Sequence, residues 1–532
     1  MQDIDVLIIG GGPTGMMLAL ELAMQNVTFR IVDKEPIRSD KSRALVVHPR
    51  SLELLNRHSI ARELIELGRL ALGMRLFVNK KLVIEFELGD LGFDDTAFTS
   101  ILFISQADTE RFLDKALERY GKAVERPVTA EKLEQDESGV RVWLKGADGG
   151  EEQVRCKYVV GCDGAHSVVR RAAKLEFEGA TYSQDFVLAD VHIEWDHPAD
   201  CLTLFMAQGM LIGFPMSGGL FRLVATRPGD LSNHDEPTLA DFQDLFGRMA
   251  PGTGKLYDPV WISRFRLHHR ATDHYRMGRL FLAGDAAHIH SPVGGQGMNT
   301  GMQDSVNLGW KLARVIRGEK DDSLLDSYDV ERHKVGERLL QTTDRFFRLG
   351  ATSNYFLSIL RNTLVPWILS WVASERSRRA RIFRFISQLG IRYRDSPIVG
   401  TASTYRGPLR GGDRAPNGTI QGADGETNLL ELCIGPTHHL ILFSGTGLTA
   451  TDGKSLEETA VKFLKANPDW VKVHKILSAS SPQSSGYVDP KGKVHSRYGF
   501  TKPGYALVRP DGHVAHIGPL SAMEELQEWV KK

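Results

Sequence analysis

Cysteine is scarce in this chain. There are four in 532 residues, Cys156, Cys162, Cys201 and Cys433, with no CxxC pair and no metal-ligand spacing. That excludes a disulfide scaffold, and the thiols read as reduced, in a reducing compartment. Neither sign of charge is in excess, since Lys+Arg and Asp+Glu both number 66. Nothing electrostatic therefore favours nucleic acid or an anionic membrane as a partner. The start of the chain goes directly into a strand-like run, IDVLIIGGG, preceded by acidic residues and no basic region, so it does not read as a signal peptide and a cytoplasmic location is expected. No apolar run is uninterrupted over the ~20 residues a spanning helix needs. The longest, Tyr355–Ala373, is broken by Arg361, Asn362 and Pro366. It reads as a buried or domain-bridging helix pair, with contact at a membrane interface as the alternative. Single cores stop growing at about 250–300 residues, so two or three domains are expected.

The informative features start at the N-terminus. Asp5–Ile9 is a short β-rich run, followed at once by Gly10-x-Gly12-x-x-Gly15. Met16–Asn26 has helical apolar spacing, and Thr28–Val32 reads as a second strand ending in Asp33. In a strand–turn–helix–strand unit each part has a task. Gly10 makes the tight turn, Gly12 lets a pyrophosphate approach the backbone, and Gly15 permits close helix–strand packing. The helix N-terminus, with Pro13 and Thr14 in the loop that opens it, faces the phosphates. Asp33, with Lys34 beside it, stands where a carboxylate accepts from a ribose hydroxyl. The motif alone does not separate FAD from NAD.

Two more segments narrow the choice. Gly278–Ala313 reads as a strand, Arg279–Ala283, ended by Gly284-Asp285, then a Pro/Gly-rich loop and a helix beginning near Met298–Asn299. A strand-end carboxylate can hold sugar-like hydroxyls, and the next helix N-terminus can stabilise negative charge. Tyr158–Arg171, YVVGCDGAHSVVRR, carries Asp163, which by itself also reads as a helix N-cap after a strand. Together and in this order, these motifs resemble the single-component aromatic-ring flavoprotein hydroxylases, the p-hydroxybenzoate and phenol hydroxylase type, over roughly residues 1–345.

The resemblance implies FAD as cofactor, NAD(P)H as co-substrate, and O₂ with an aromatic small molecule as substrates. It implies that Asp285 holds the ribityl chain and that Pro292, Gly295, Gly297, Met298 and Asn299 lie over the isoalloxazine. Asp163 is linked to both FAD and NAD(P)H. Arg43 lies along the flavin near the NAD(P)H path, and Gln106 hydrogen-bonds the cofactor. Arg111 is a weaker candidate or a solvated helix residue. The implied reaction is hydroxylation through a flavin C4a-hydroperoxide, with epoxidation, Baeyer–Villiger insertion or dearomatisation of a polyketide-like substrate as the alternative outcome. A non-catalytic flavin scaffold is a third possibility. No second strand–GxGxxG–helix unit is present, so a dedicated NAD(P)H domain is missing.

Substrate-side residues are read from Ala180–Arg227 and Val260–Arg266, whose alternation suggests a sheet over the flavin. Arg222, Phe214, Phe205 and Tyr182 are pocket candidates. Arg222 either binds a phenolate or is a plain strand residue. Where phenol-oxidising relatives carry an acid, this chain has Leu45, Val46 and Val47, then His48. That departure points to a bulkier, less polar substrate, in keeping with secondary metabolism. His48 is either a general base or a hydrogen-bonded histidine. The pair His288 and His290 lacks a third ligand, so no metal is expected, and Pro251–Lys255 lacks P-loop spacing.

The expected fold is α/β: a Rossmann-type, glutathione-reductase-like FAD-binding domain with an inserted β-sheet substrate domain, a helical connector and a C-terminal thioredoxin-like domain. The divisions are 1–180 (with some substrate-domain strands near 72–103), 181–270 for the substrate sheet, 271–345 for the return to the FAD domain, 346–398 for the connector and 399–532. The last lacks a redox dithiol; Pro503 stands where such folds often have a cis-proline, and Arg509–Gly512 reads as a hairpin turn. A homodimer is expected, with no nucleic-acid or membrane partner.

Overall fold

Strand β1 (Asp3–Ile9) is apolar from Val6 to Ile9, and Val6, Leu7 and Ile8 have no exposed surface. A strand buried on both faces reads in this way when it is central to a parallel sheet. It lies between β2 (Phe29–Val32) and strand Glu151–Gly161, parallel to both, and the latter pairs in parallel with Leu280–Leu282. The antiparallel hairpin Val128–Asp136/Gly139–Gly146 and the short strand Arg276–Met277 complete seven strands. Helix α1 (Pro13–Met24) is buried from Met16 to Ala23. It packs against helix Gly297–Ile316 closely enough that a Cβ on Gly309 would come within 2.7 Å of the Glu21 side chain. The computed structural model describes residues 3–38, 44–87, 91–197, 200–207, 209–226, 236–289, 294–350, 364, 367–368, 371, 374–447, 450–467, 469–479 and 486–531.

A second sheet of eight strands runs in the order His288–Ile289, Lys255–Ala271, Glu178–Glu194, Leu220–Thr226, Gly209–Pro215, Cys201–Ala207, Gly73–Val78, Lys81–Glu87. Its alternation sorts side chains onto two faces. Val187, Ala189, Phe205, Leu211 and Leu223 form a core with Phe242 and Phe246 of helix Leu239–Met249. Phe205 is thus core, not pocket, as its place on the helix-covered face requires. Phe214 and Leu202 lie on the opposite face and pack with Leu45, Val46 and Phe103.

The C-terminal unit has its own core and an eight-stranded sheet. Strands His438–Phe443 and Val471–Ser478 are parallel, joined through helix Ala450–Ala466, and Gly504–Val508 then Val514–Pro519 add antiparallel. Arg509–Gly512 makes the turn of the last hairpin, with Gly512 at φ +77. Among the described residues only Arg126–Pro127 is cis, so Pro503 follows a trans bond, contrary to the cis-proline reading.

This unit is fastened by charge. Arg509 donates to both oxygens of Glu331 at 2.6 and 2.9 Å, and Lys311 donates to Glu331 at 2.8 Å. All three are buried. Arg414 bridges Glu53 and Asp95, and Arg50 donates to the Asp511 carbonyl. Buried ions survive only when paired and hydrogen-bonded, so these contacts fix the hairpin turn on helix Gly297–Ile316 and on Glu331. Within the described residues no helix is long and apolar enough to cross a membrane. The buried-helix reading of Tyr355–Ala373 is corrected where it can be seen: Leu364, Trp367, Ile368 and Trp371 are all exposed.

Candidate functional site

The motifs converge because the parallel strands end level. Ile9 is in register with Val32 and with Gly161, and Gly161 with Leu282. The next residues are stitched together: Gly10 N donates to Val32 O, Cys162 N to Ile9 O and Ala283 N to Gly161 O. Gly10, Asp33, Asp163 and Asp285 therefore leave the carboxyl edge of one sheet side by side, which is where open α/β sheets bind ligands.

The glycines fit the assigned tasks. Gly10 sits at φ +111, and a Cβ there would come within 2.2 Å of the Cys162 carbonyl. On Gly15 it would meet the Gly10 carbonyl at 1.9 Å, whereas on Gly12 it would meet nothing within 4 Å. The space beside Gly12, at the start of α1, is what an incoming phosphate needs. Thr14 faces the other way, wedged between Gly284 and Gly301. Asp33 accepts from Gly11 N at 2.6 Å and pairs with Arg126 at 3.3 Å, while Arg126 donates to Gly11 O at 2.7 Å. Arg126 thus braces the loop, a part no sequence motif indicated. A cavity of about 410 Å³ opens beside it, lined by Arg38, Asp114, Glu118 and Val124 among others. Lys34 is an exposed partner of Glu35.

Asp285 is exposed in a single turn, Gly284–Ala286, between two buried neighbours. The turn is held from behind by Asp304. Its Oδ2 accepts from Gly284 N at 3.0 Å and meets His288 Nε2 at 2.9 Å, and its Oδ1 accepts from Arg332 Nε at 2.6 Å. Asp304 and Arg332 have no exposed side-chain surface. Burial alone would raise the Asp304 pKa, but Arg332 and His288 hold it below the usual carboxylate range. His288 is therefore part of this support, and His290 lies outside the described residues.

Helix Gly297–Ile316 opens beside this turn. Its i→i−4 ladder begins with Thr300 N to Gln296 O, which leaves the N–H groups of Gly297, Met298 and Asn299 ahead of the ladder. A Cβ on Gly297 would meet nothing within 4 Å. Asn299 is a clamp: its Nδ2 donates to Val46 O and Gly295 O, both at 2.7 Å, and its Oδ1 accepts from His48 N at 2.9 Å. Its side chain is spent on protein, so only its backbone and position serve the site. Gly295, at φ +63, lies against Val46.

The general-base reading of His48 is corrected. His48 is fully buried and donates through Nε2 to the Gly294 carbonyl at 2.8 Å. Burial pushes its pKa down to about 4, against the opposing pull of that carbonyl. It is a neutral strut at the N-cap of helix Pro49–Asn56. The phenolate-binding reading of Arg222 is corrected as well. Arg222 and Asp190 are cross-strand partners joined by two 2.7 Å hydrogen bonds, both buried, with the guanidinium over Trp261. Gln106 accepts from Ala44 N through its side chain and donates its own N–H to Ala44 O. Arg111 pairs with Asp108 on its own helix. Asp163 uses Oδ2 to accept from Val168 N at 2.7 Å, but the cap of that helix is Ser167. The Asp163 Oδ1 is shielded and has no hydrogen-bond partner among the described residues. Arg43, Pro292 and the Tyr182 side chain lie outside the described residues.

This geometry fits a flavin dinucleotide: open backbone at Gly12 and Gly297 and an exposed carboxylate at the strand end. Comparison with known proteins agrees. Residues 3–343 match the family model described as "FAD binding domain", and residues 450–532 match "Phenol hydroxylase, C-terminal dimerisation domain". The chain is 32% identical to 6-methylpretetramide 4-monooxygenase of Streptomyces rimosus, covering 98% of this chain and 92% of that protein. It is 30% identical to pentachlorophenol 4-monooxygenase of Sphingobium chlorophenolicum, covering 96% and 93%. The solved anhydrotetracycline hydroxylase of Streptomyces rimosus superposes with a TM-score of 0.76 at 27% identity, over 100% of this chain and 99% of that one. The chain belongs to the FAD-dependent aromatic monooxygenase family and is a flavin-dependent monooxygenase.

Proposed function

We propose that FAD lies along the sheet edge with its pyrophosphate at Gly12 and the start of α1, a ribose on Asp33, and the ribityl chain on Asp285. Gly295, Gly297 and the start of helix Gly297–Ile316 receive the edge of the ring where negative charge gathers. On this reading, Arg43 lies on the NAD(P)H path and Pro292 over the ring. The observation that carries it is the level ending of β1, β2 and strands Glu151–Gly161 and Leu280–Leu282, which brings three separate motifs to one crevice. Once reduced by NAD(P)H, bound FAD supplies the oxygen-activating chemistry. The chain's own residues orient the ring, exclude water and hold the substrate.

The substrate proposed is a large, flat, uncharged aromatic molecule of the natural-product kind. Support comes from the sheet face that packs toward Val46. Leu202, Leu204, Ile212, Phe214 and Val224 stand there half-buried, and Arg222 among them is neutralised by Asp190. A face of that kind binds apolar area and, among its described residues, offers an anionic ligand no unpaired cation. The relatives named for 6-methylpretetramide and anhydrotetracycline agree with it. Pairing through the C-terminal unit into a homodimer is part of the proposal.

The test is direct. The purified protein should be yellow, its colour should bleach with NADPH or NADH, and a polycyclic aromatic panel should yield products one oxygen heavier. Asp285→Ala should lose charge-assisted hydrogen bonds, about 1.5–3 kcal/mol, which is roughly 10- to 150-fold in FAD affinity. Its apo melting temperature should not change, because Asp285 is exposed. A colourless wild type that takes up no FAD would overturn the reading.

A further inference from the structure

Leu364, Trp367, Ile368 and Trp371 are helical positions spaced three, one and three apart, so they share one face. Their exposures are 44, 71, 46 and 55%. Helix Arg376–Ile386 follows and exposes Ile382 and Phe385. Residues 375–384 hold five arginines, Arg376, Arg378, Arg379, Arg381 and Arg384, against the single acid Glu375. Arg378 stacks 3.9 Å from the Trp371 ring centroid and pairs with Glu375, and Arg384 pairs with Asp95. The local excess of positive charge at the surface therefore comes from Arg376 and Arg381, both exposed. The chain as a whole carries equal numbers of acidic and basic residues, so this excess is a local feature.

We propose that this apolar and cationic face docks on the surface of an anionic lipid bilayer. Exposed tryptophans beside apolar side chains suit the headgroup boundary. Each arginine near an anionic surface adds attraction. A second copy of the chain fits less well, because a two-fold contact through this patch would set Arg376 and Arg381 against their own counterparts. The inner side of the same helix borders the flavin crevice. Phe383 packs with Leu45, Val46 and Phe103, and the Ile386 carbonyl accepts from Gln296 Nε2 at 3.5 Å. Docking would therefore set the crevice close to the lipid, where an apolar substrate concentrates. The docking itself does not depend on the flavin reading.

The experiment is flotation of the full chain with vesicles of phosphatidylcholine alone, or of phosphatidylcholine mixed with phosphatidylglycerol, at low and high salt. The wild type should float with the anionic vesicles and be released by salt. Arg376→Gln/Arg381→Gln should weaken partitioning about 30-fold. Trp367→Ser/Trp371→Ser should abolish flotation, with FAD content unchanged in both variants. A wild type that stays unbound at low salt overturns the proposal, and so do variants that float like the wild type. Sedimentation velocity without lipid tests the other occupant. If the tryptophan variant breaks a self-association that the wild type shows, the face belongs to a second copy and the proposal falls.

Discussion

Arg509→Met is expected to destabilise the protein by about 3–5 kcal/mol, the usual consequence of removing one member of a buried ionic group. Arg509 is 1% exposed and donates to both carboxylate oxygens of Glu331 and to Asp511. Without it, two buried carboxylates face each other with Lys311 as the nearest cation of the cluster. Burial raises the pKa of both acids, but Arg509 outweighs it and holds each below the ordinary carboxylate range. Their folded pKa values are therefore lower than the unfolded ones. The stability they contribute is present above about pH 4.5 and is lost as pH falls below it. Denaturant melts from neutral pH to about pH 3 should show the wild type losing stability steeply in acid and the variant less so. Equal stability of the two proteins at pH 7 would remove this cluster from the account. The same contacts bear on deletion of residues from about 400 onward. Stability or oligomeric state would change, as the chain's organisation suggests. The deletion would also uncover Lys311 and Asn307 on the helix that begins at Gly297, so the flavin spectrum should shift as well.

Much of the crevice is legible in sequence because its demands are local. A turn that approaches another backbone to within a carbonyl's reach requires glycine, so Gly10 and Gly15 appear at fixed offsets after an apolar strand. Asp285 and Asp33 are legible for the same reason, being the first polar residues after a strand that ends at the sheet edge. What escapes is support from a distance. Asp304 and Lys311 interrupt a helix buried over nearly all its length. They fall with Thr300, Gln303, Asn307 and Arg314 on one polar stripe of that helix, which from sequence reads as a solvated face, and only its burial shows otherwise. Their partners Arg332, Glu331 and Arg509 lie tens to hundreds of residues away, and no spacing rule joins them. The error over Arg222 has the same origin. A strand arginine facing a candidate pocket looks like a ligand until Asp190 is seen opposite it on the neighbouring strand, which is a matter of register and not of local pattern. His48 is open in a different way: its ordinary pKa allows a base, and only full burial against Gly294 shows that it is the hydrogen-bonded histidine.

Asp304→Ala should have a double effect that separates it from Asp285→Ala. It strands the Arg332 guanidinium in a fully buried site, where only the Tyr393 hydroxyl and the Thr300 carbonyl remain as partners, and that should cost about 3–5 kcal/mol of stability. It also removes the acceptor for Gly284 N, worth about 1–3 kcal/mol to a buried donor. Gly284 sits at φ +59 against Thr14, so the turn that presents Asp285 is held by that hydrogen bond and by close packing together. With the bond gone, the Asp285 carboxylate loses its fixed position and FAD affinity should fall by at least tenfold. Asp304→Asn keeps the shape and one acceptor oxygen but not the charge, so it should restore part of the affinity while remaining less stable than the wild type. The decisive readings are the melting temperature of the apoprotein and the FAD dissociation constant of its folded fraction. Asp285→Ala should lower only the affinity, and Asp304→Ala should lower both. Wild-type FAD affinity in folded Asp304→Ala would mean that the Gly284 turn holds its shape without Asp304, and that the buried ion pair stabilises the fold without shaping the crevice.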